Sequence, residues 1–146
     1  MNENILNFVQ CKRIAVVGVS RDPKKFGTAI YTELKKRGYQ VYPVNPAMTE
    51  LAGEPCYPNL QALNGKVDGA VICLQPSKVT ALLQEAAQIG LHNLWLQQGS
   101  ASPEVLKTAQ DLGLNPVSKK CILMYAAPVQ SFHGFHRFVT KLVGQL

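Results

Sequence analysis

An apolar, β-branched run, Ile14-Ala15-Val16-Val17, follows Arg13 and breaks at Gly18; a short polar turn then leads into a segment patterned as a helix. A continuous apolar run suits a strand buried on both faces, as in a parallel sheet. A strand, a tight glycine turn and a helix also form a ready anion site, because the backbone N–H groups at the helix start face outward unpaired. The stretch from Arg13 to Gly27 therefore constrains the chain more than any other, and predicts a turn that holds an anionic nucleotide.

The rest of the chain repeats the same alternation. Residues 1 to about 12 read as a short leading helix or arm that packs Ile5, Leu6 and Phe8 on the body. From Phe26, Ala29, Ile30 and Leu34 recur at helical spacing until Lys35-Lys36-Arg37-Gly38, where cations followed by glycine stop a helix. Strands are predicted at Tyr39–Val44, Val67–Leu74, His92–Leu96 and, more briefly, Leu114–Val117. Pro76 and Pro103 open helices that Gly90 and Gly113 close. Between the second and third main strands, the turn residues Gly53, Pro55, Pro58 and Asn64-Gly65 predict a brief extended segment and a small helix near Leu60–Leu63. Strands alternating with helices predict an α/β, Rossmann-like open parallel sheet of about five strands with helices on both faces. Phe132, Phe135, Phe138, Val139 and Leu142 add a C-terminal amphipathic helix. At 146 residues one domain is expected.

Composition narrows the function. With 47% hydrophobic and 16% charged residues the chain is globular. No apolar run approaches the ~20 residues of a membrane span, and the N-terminus lacks the basic flank and apolar core of a signal peptide. A cytoplasmic protein is expected, with the scattered Cys11, Cys56, Cys73 and Cys121 as free thiols rather than disulfides or a zinc site. The net charge of +6 asks for an anionic partner. Specific nucleic-acid binding is not expected, because basic and aromatic residues do not alternate as they do in single-strand binders.

The candidate site residues cluster after the strands. Gly18 lets the backbone approach an anion, and the Ser20 hydroxyl is either a donor to it or a local cap. Arg21, Lys24 and Lys25 sit beside that turn, where cations oppose the helix dipole unless a polyanion is bound. The second strand ends Val44-Asn45-Pro46. An NAD site places a carboxylate there to hold the ribose, and carries GxGxxG in the first turn; neither is present. Gln75, Pro76 and Ser77 follow the third strand, and Gln97, Gln98 and Gly99 the fourth. His133 and His136 are neighbours on the last helix, and with Cys121 they would make a metal site only if all three converge; two exposed polar side chains is the plainer reading.

The order Gly18-Val19-Ser20, Gly27, Val41-Tyr42-Pro43-Val44-Asn45-Pro46, Gly53, Tyr57, Leu60, Val67-Asp68 and Leu94-Trp95-Leu96-Gln97-Gln98-Gly99 resembles the small CoA-binding proteins. These are similar to the CoA-binding N-terminal domain of the succinyl-CoA synthetase α subunit. The likeness spans roughly residues 10 to 122. It implies a small-molecule nucleotide ligand, CoA or acyl-CoA, with the turn around Ser20 and Arg21 at its phosphates, and Asn45-Pro46 and Gln75-Pro76 lining the nucleotide. Two features depart from the pattern: the chain continues past Cys121 to Leu146, and the glycine turn is reduced to Gly18 and Gly27. The histidine phosphorylated in the synthetase lies in another domain, so none is carried over.

The resulting expectation is a CoA or acyl-CoA binding module without catalysis of its own, with cofactor contacts from Gly18, Val19, Ser20, Arg21, Lys24, Lys25, Gly27, Asn45, Pro46, Gln75 and Pro76. The alternatives are an NADP-dependent oxidoreductase and a nucleotide-binding subunit of an acyl-CoA ligase. The C-terminal helix is the expected surface for a second copy or a partner protein.

Overall fold

A computed structural model describes residues 3–127. Four strands, β1 (Arg13–Val17), β2 (Gln40–Val44), β5 (Gly69–Ile72) and β6 (Leu94–Leu96), form a wholly parallel sheet in the order β2-β1-β5-β6. A small antiparallel hairpin, β3 (Glu50–Leu51) with β4 (Glu54–Pro55), stands apart from it. The four helices are α1 (Glu3–Val9), α2 (Phe26–Lys36), α3 (Pro76–Gln88) and α4 (Pro103–Asp111).

The strands are apolar on both sides because both sides are covered. Ile14, Val16, Val71 and Trp95 face one way and pack with Ile5 and Phe8 of α1 and Ile30 and Leu34 of α2. Ala15, Val17, Ala70, Ile72, Leu94 and Leu96 face the other way, onto Val79, Leu83 and Ala86 of α3 and Val105 and Ala109 of α4. Trp95 centres the first layer: Phe8 meets its ring edge-on at 5.3 Å between centroids, and its indole N–H donates to the Lys120 carbonyl at 2.8 Å. Pro43 is tolerated in β2 because that strand is an edge.

The expected fifth strand is reduced to a single bridge. Val117 alone exchanges backbone bonds with β6, giving its N–H to Leu94 and accepting from Leu96. The Asn115 carbonyl is taken by the Asn4 side chain at 2.9 Å rather than extending the ladder. The segment beyond is held by its main chain instead. Arg37 donates to the carbonyls of Leu123 (2.9 Å) and Ala126 (2.7 Å), and the Tyr39 hydroxyl donates to that of Ala127 (2.8 Å). The predicted C-terminal helix, with His133 and His136, lies outside the described residues. No helix among the described residues is long and apolar enough to cross a membrane.

Candidate functional site

From β1 the chain moves outward to β2, and later returns on the other side as β5. Strand order therefore reverses between the carboxyl ends of β1 and β5, which is where open α/β sheets bind ligands. Gly18 sits at that point with φ +104°. A Cβ there would lie 2.3 Å from the Cys73 carbonyl oxygen, so only glycine fits between the two strand ends. Gly27, in the first turn of α2, is under a different constraint: its Cβ would stand 2.4 Å from the Gly18 carbonyl oxygen. The missing Cβ of Gly27 thus seats α2 directly on the turn, while that of Gly18 lets the turn pass the end of β5.

The turn is pinned by a residue that sequence reasoning missed. The buried Thr28 hydroxyl accepts from the Ser20 N–H and donates to the Ser20 carbonyl, both at 2.8 Å. The Ser20 hydroxyl accepts from the Asp22 N–H at 3.1 Å, and the Asp22 carboxylate accepts from the Lys24 N–H at 2.9 Å, so both side chains shape the loop locally. Its signal in the sequence was a small hydroxyl immediately after Gly27.

Beside the turn a cleft of about 470 Å³ opens between the ends of β1 and β2 and one face of α3. Val17, Val44, Pro46, Leu74 and Leu82 make its walls largely apolar, with Lys78 and Glu85 at the polar ends. The volume falls within the usual range for small-molecule sites, ~300–1,000 Å³. Gly18, Asn45 and Pro46 line this cleft, as does Ala47. Asn45 is also a latch: its amide donates to the Val19 carbonyl and its oxygen accepts from the Ala47 N–H, each at 2.7 Å, tying the end of β2 to the first turn. Val19 itself is buried in the core.

Arg21, Lys24 and Lys25 are exposed and do not line the cleft. Arg21 instead borders a shallow hollow shared with Thr49, Glu50, Leu51 and Ala52. Gln75 caps α3 without a side-chain bond, and Pro76 opens that helix; both adjoin Leu74, which does line the cleft. Gln97 is wholly buried, its oxygen accepting from the Ile122 N–H at 2.7 Å and its amide facing the Cys121 sulfur at 3.5 Å, so it anchors the C-terminal segment. Ser100, not foreseen, accepts from the Leu74 N–H and donates to the Ile72 carbonyl, both at 3.1 Å, and so fixes the turn into α3. Lys78 was also missed; its signal was the spacing Lys78, Ala81, Leu82, Glu85, which places all four on one face of α3.

The cysteines are all unpaired thiols in the structure. Burial, reinforced by the neighbouring Cys121, pushes the Cys73 thiol up to about 12, so it stays protonated at neutral pH. Among the described residues no group of three His, Cys, Asp or Glu is placed to hold a metal ion. The arrangement as a whole is a binding surface: an apolar slot, a backbone turn opened by glycine, and a charge at each end.

Residues 12–127 match the family described as CoA binding domain. Among curated relatives, the chain is 26% identical over 111 residues to the uncharacterized protein YneT of Bacillus subtilis, covering 76% of this chain and 82% of that protein. It is 29% identical over 126 residues to the alpha subunit of the ADP-forming acetate–CoA ligase II of Pyrococcus furiosus, covering 79% of this chain but only 28% of that subunit. Among solved structures, a protein of Pyrococcus horikoshii superposes with a TM-score of 0.76 at 27% identity, covering 99% of this chain and 93% of that one. On the match across residues 12–127, carried on a parallel α/β sheet, the chain belongs to the CoA binding domain family.

Proposed function

We propose that this chain binds CoA or an acyl-CoA, with the adenosine end in the cleft between β2 and α3 and the pyrophosphate against the backbone of the Gly18–Ser20 turn. The observation that carries the reading is the apolar cleft opening at the strand-order reversal, next to a turn stripped of side-chain bulk by Gly18 and Gly27. Arg21, Lys24 and Lys25 then lie outside the cleft, where they meet the parts of the ligand that extend beyond the turn. Asn45 and Pro46 supply one wall, and Gln75 and Pro76 the approach from α3. The module acts by binding; the Cys73 thiol at the turn is held protonated by burial and offers no ready nucleophile.

A second reading is favoured by the ligase relatives: the chain supplies the CoA site to a partner chain that performs the chemistry. An NADP-dependent oxidoreductase is less well supported, because the residue at the end of β2 is an amide already committed to Val19 and Ala47.

Calorimetric titration with CoA, acetyl-CoA and NADP tests the proposal. Saturable CoA binding that weakens in Gly18→Ala is the expected result. NADP binding with no response to CoA would overturn it. Turnover of acetate, ATP and CoA only after a partner chain is added would select the second reading.

A further inference from the structure

Lys78 is the only cation on the cleft wall, and its ammonium group has no ion-pair partner among the described residues. It projects from the first turn of α3, where a cation opposes the helix dipole. Glu85 lies seven residues further on the same face, about 10 Å along the helix axis. One of its oxygens accepts from the Leu60 N–H at 3.1 Å. The cleft is therefore polarised, cationic beside Leu74 and Gly18 and anionic beside Pro58 and Asn59.

An adenosine nucleotide is polarised too, with an amino donor on the base and phosphate on the ribose. Only one orientation pairs both ends: the base amine toward Glu85, and the ribose toward Lys78 and the glycine turn. The turn's backbone is then occupied by the pyrophosphate. Arg21, Lys24 and Lys25 do not line the cleft. We infer that Lys78 reads a phosphomonoester on the ribose of the bound adenosine nucleotide, an inference that rests on the CoA reading above. Two sources share that chemistry, the 3′-phosphate of CoA and the 2′-phosphate of NADP.

The test is a set of titrations of wild type and Lys78→Gln with CoA, dephospho-CoA, NADP and NAD. Lys78 is exposed, so the variant keeps the fold; circular dichroism checks this. Wild type is expected to prefer CoA over dephospho-CoA by about tenfold or more, the scale of one charge-assisted hydrogen bond. In Lys78→Gln that preference collapses, while dephospho-CoA affinity stays within about twofold. An unchanged preference in Lys78→Gln overturns the inference and leaves the CoA reading intact, and equal weakening of both ligands does the same by moving Lys78 to the pyrophosphate. If wild type ignores CoA but separates NADP from NAD through Lys78, the ribose-phosphate assignment holds for the 2′-phosphate and the CoA reading fails. If no ligand of the four binds, both fail.

Discussion

Replacing Gly27 by alanine puts a methyl group 2.4 Å from the Gly18 carbonyl oxygen and 2.8 Å from its carbon. Both partners are backbone, so no side chain can swing away. To reach an ordinary contact of 3.4 Å, the start of α2 and the β1 turn must separate by about 1 Å. Overpacking of this kind costs about 1–3 kcal/mol, and the absence of a flexible neighbour places it at the upper end. Against that, alanine in a helix is favoured over glycine by about 1 kcal/mol. The net expectation is a loss of about 2 kcal/mol, or about 4–8 °C in Tm for a chain of this size. Urea denaturation reads it directly: the midpoint falls, and an unchanged m-value assigns the loss to the folded state. Gly18→Ala meets a different partner, the Cys73 carbonyl oxygen at 2.3 Å, and is destabilising on separate grounds. A Gly27→Ala protein as stable as wild type, or more so, would refute the idea that α2 is seated on the turn by the missing Cβ of Gly27.

Four further outcomes are expected. Arg37→Ala removes two bonds from a charged donor to the Leu123 and Ala126 carbonyls and should cost about 2 kcal/mol in denaturant melts, with Arg37→Lys restoring it only in part because lysine has no second nitrogen for the Glu33 carboxylate that the Arg37 Nε holds. Tyr31→Phe should be neutral or stabilising by up to about 1 kcal/mol, since the buried Tyr31 hydroxyl has no hydrogen-bond partner among the described residues; clear destabilisation would contradict this. Ala52→Asn should stabilise by about 0.5–1 kcal/mol, because Ala52 (φ +52°) and Gly53 (φ +83°) form a two-residue hairpin turn that Asn-Gly suits far better. Hydrogen bonding from Arg13 holds the Asp68 carboxyl below the usual carboxylate range. Its stabilising effect is therefore complete above that range and is lost as pH falls through it, so the stability of Asp68→Asn should be lower near neutrality and should fall less steeply under acid.

The sheet was readable in advance because buried parallel strands leave uninterrupted apolar runs. Val16-Val17 before Gly18 announces both a strand and the edge at which it stops, whereas the run through Leu74 announces the strand at Val71-Ile72 but not its end, which falls two residues earlier. Leu114–Val117 misled for the opposite reason: its residues look like a strand, but the Asn115 carbonyl is taken by the Asn4 side chain and the ladder closes after one bridge. The polar residues were harder. Asn45 and Gln97 were marked as candidate ligand contacts, yet both carry hydrogen bonds between distant loops, at separations of 26 residues (Asn45 to Val19) and 25 (Gln97 to Ile122). Nothing local in the chain discloses such pairings. Thr28 and Ser100 were passed over because a lone hydroxyl in a helix start or a loop looks unremarkable until its two backbone partners are seen. Lys78 was obscured by the more conspicuous cations at 21, 24 and 25, whose clustering in sequence does not place them in the cleft.

The stretch from Lys120 to Ala127 is gripped by its carbonyl oxygens, through Trp95, Arg37 and Tyr39, all of which belong to the body of the fold. Every residue type presents the same carbonyl, so this part of the grip does not depend on side chains, although Ile122, Tyr125 and Ala126 also bury theirs in the core. Its exposed positions, such as Met124 at 63% exposure, are free to mutate without loosening the attachment, whereas a change at Arg37 or Tyr39 removes carbonyl bonds whatever the stretch contains. Tolerance to substitution therefore resides in one part of the chain, and the vulnerability that accompanies it resides some 90 residues earlier.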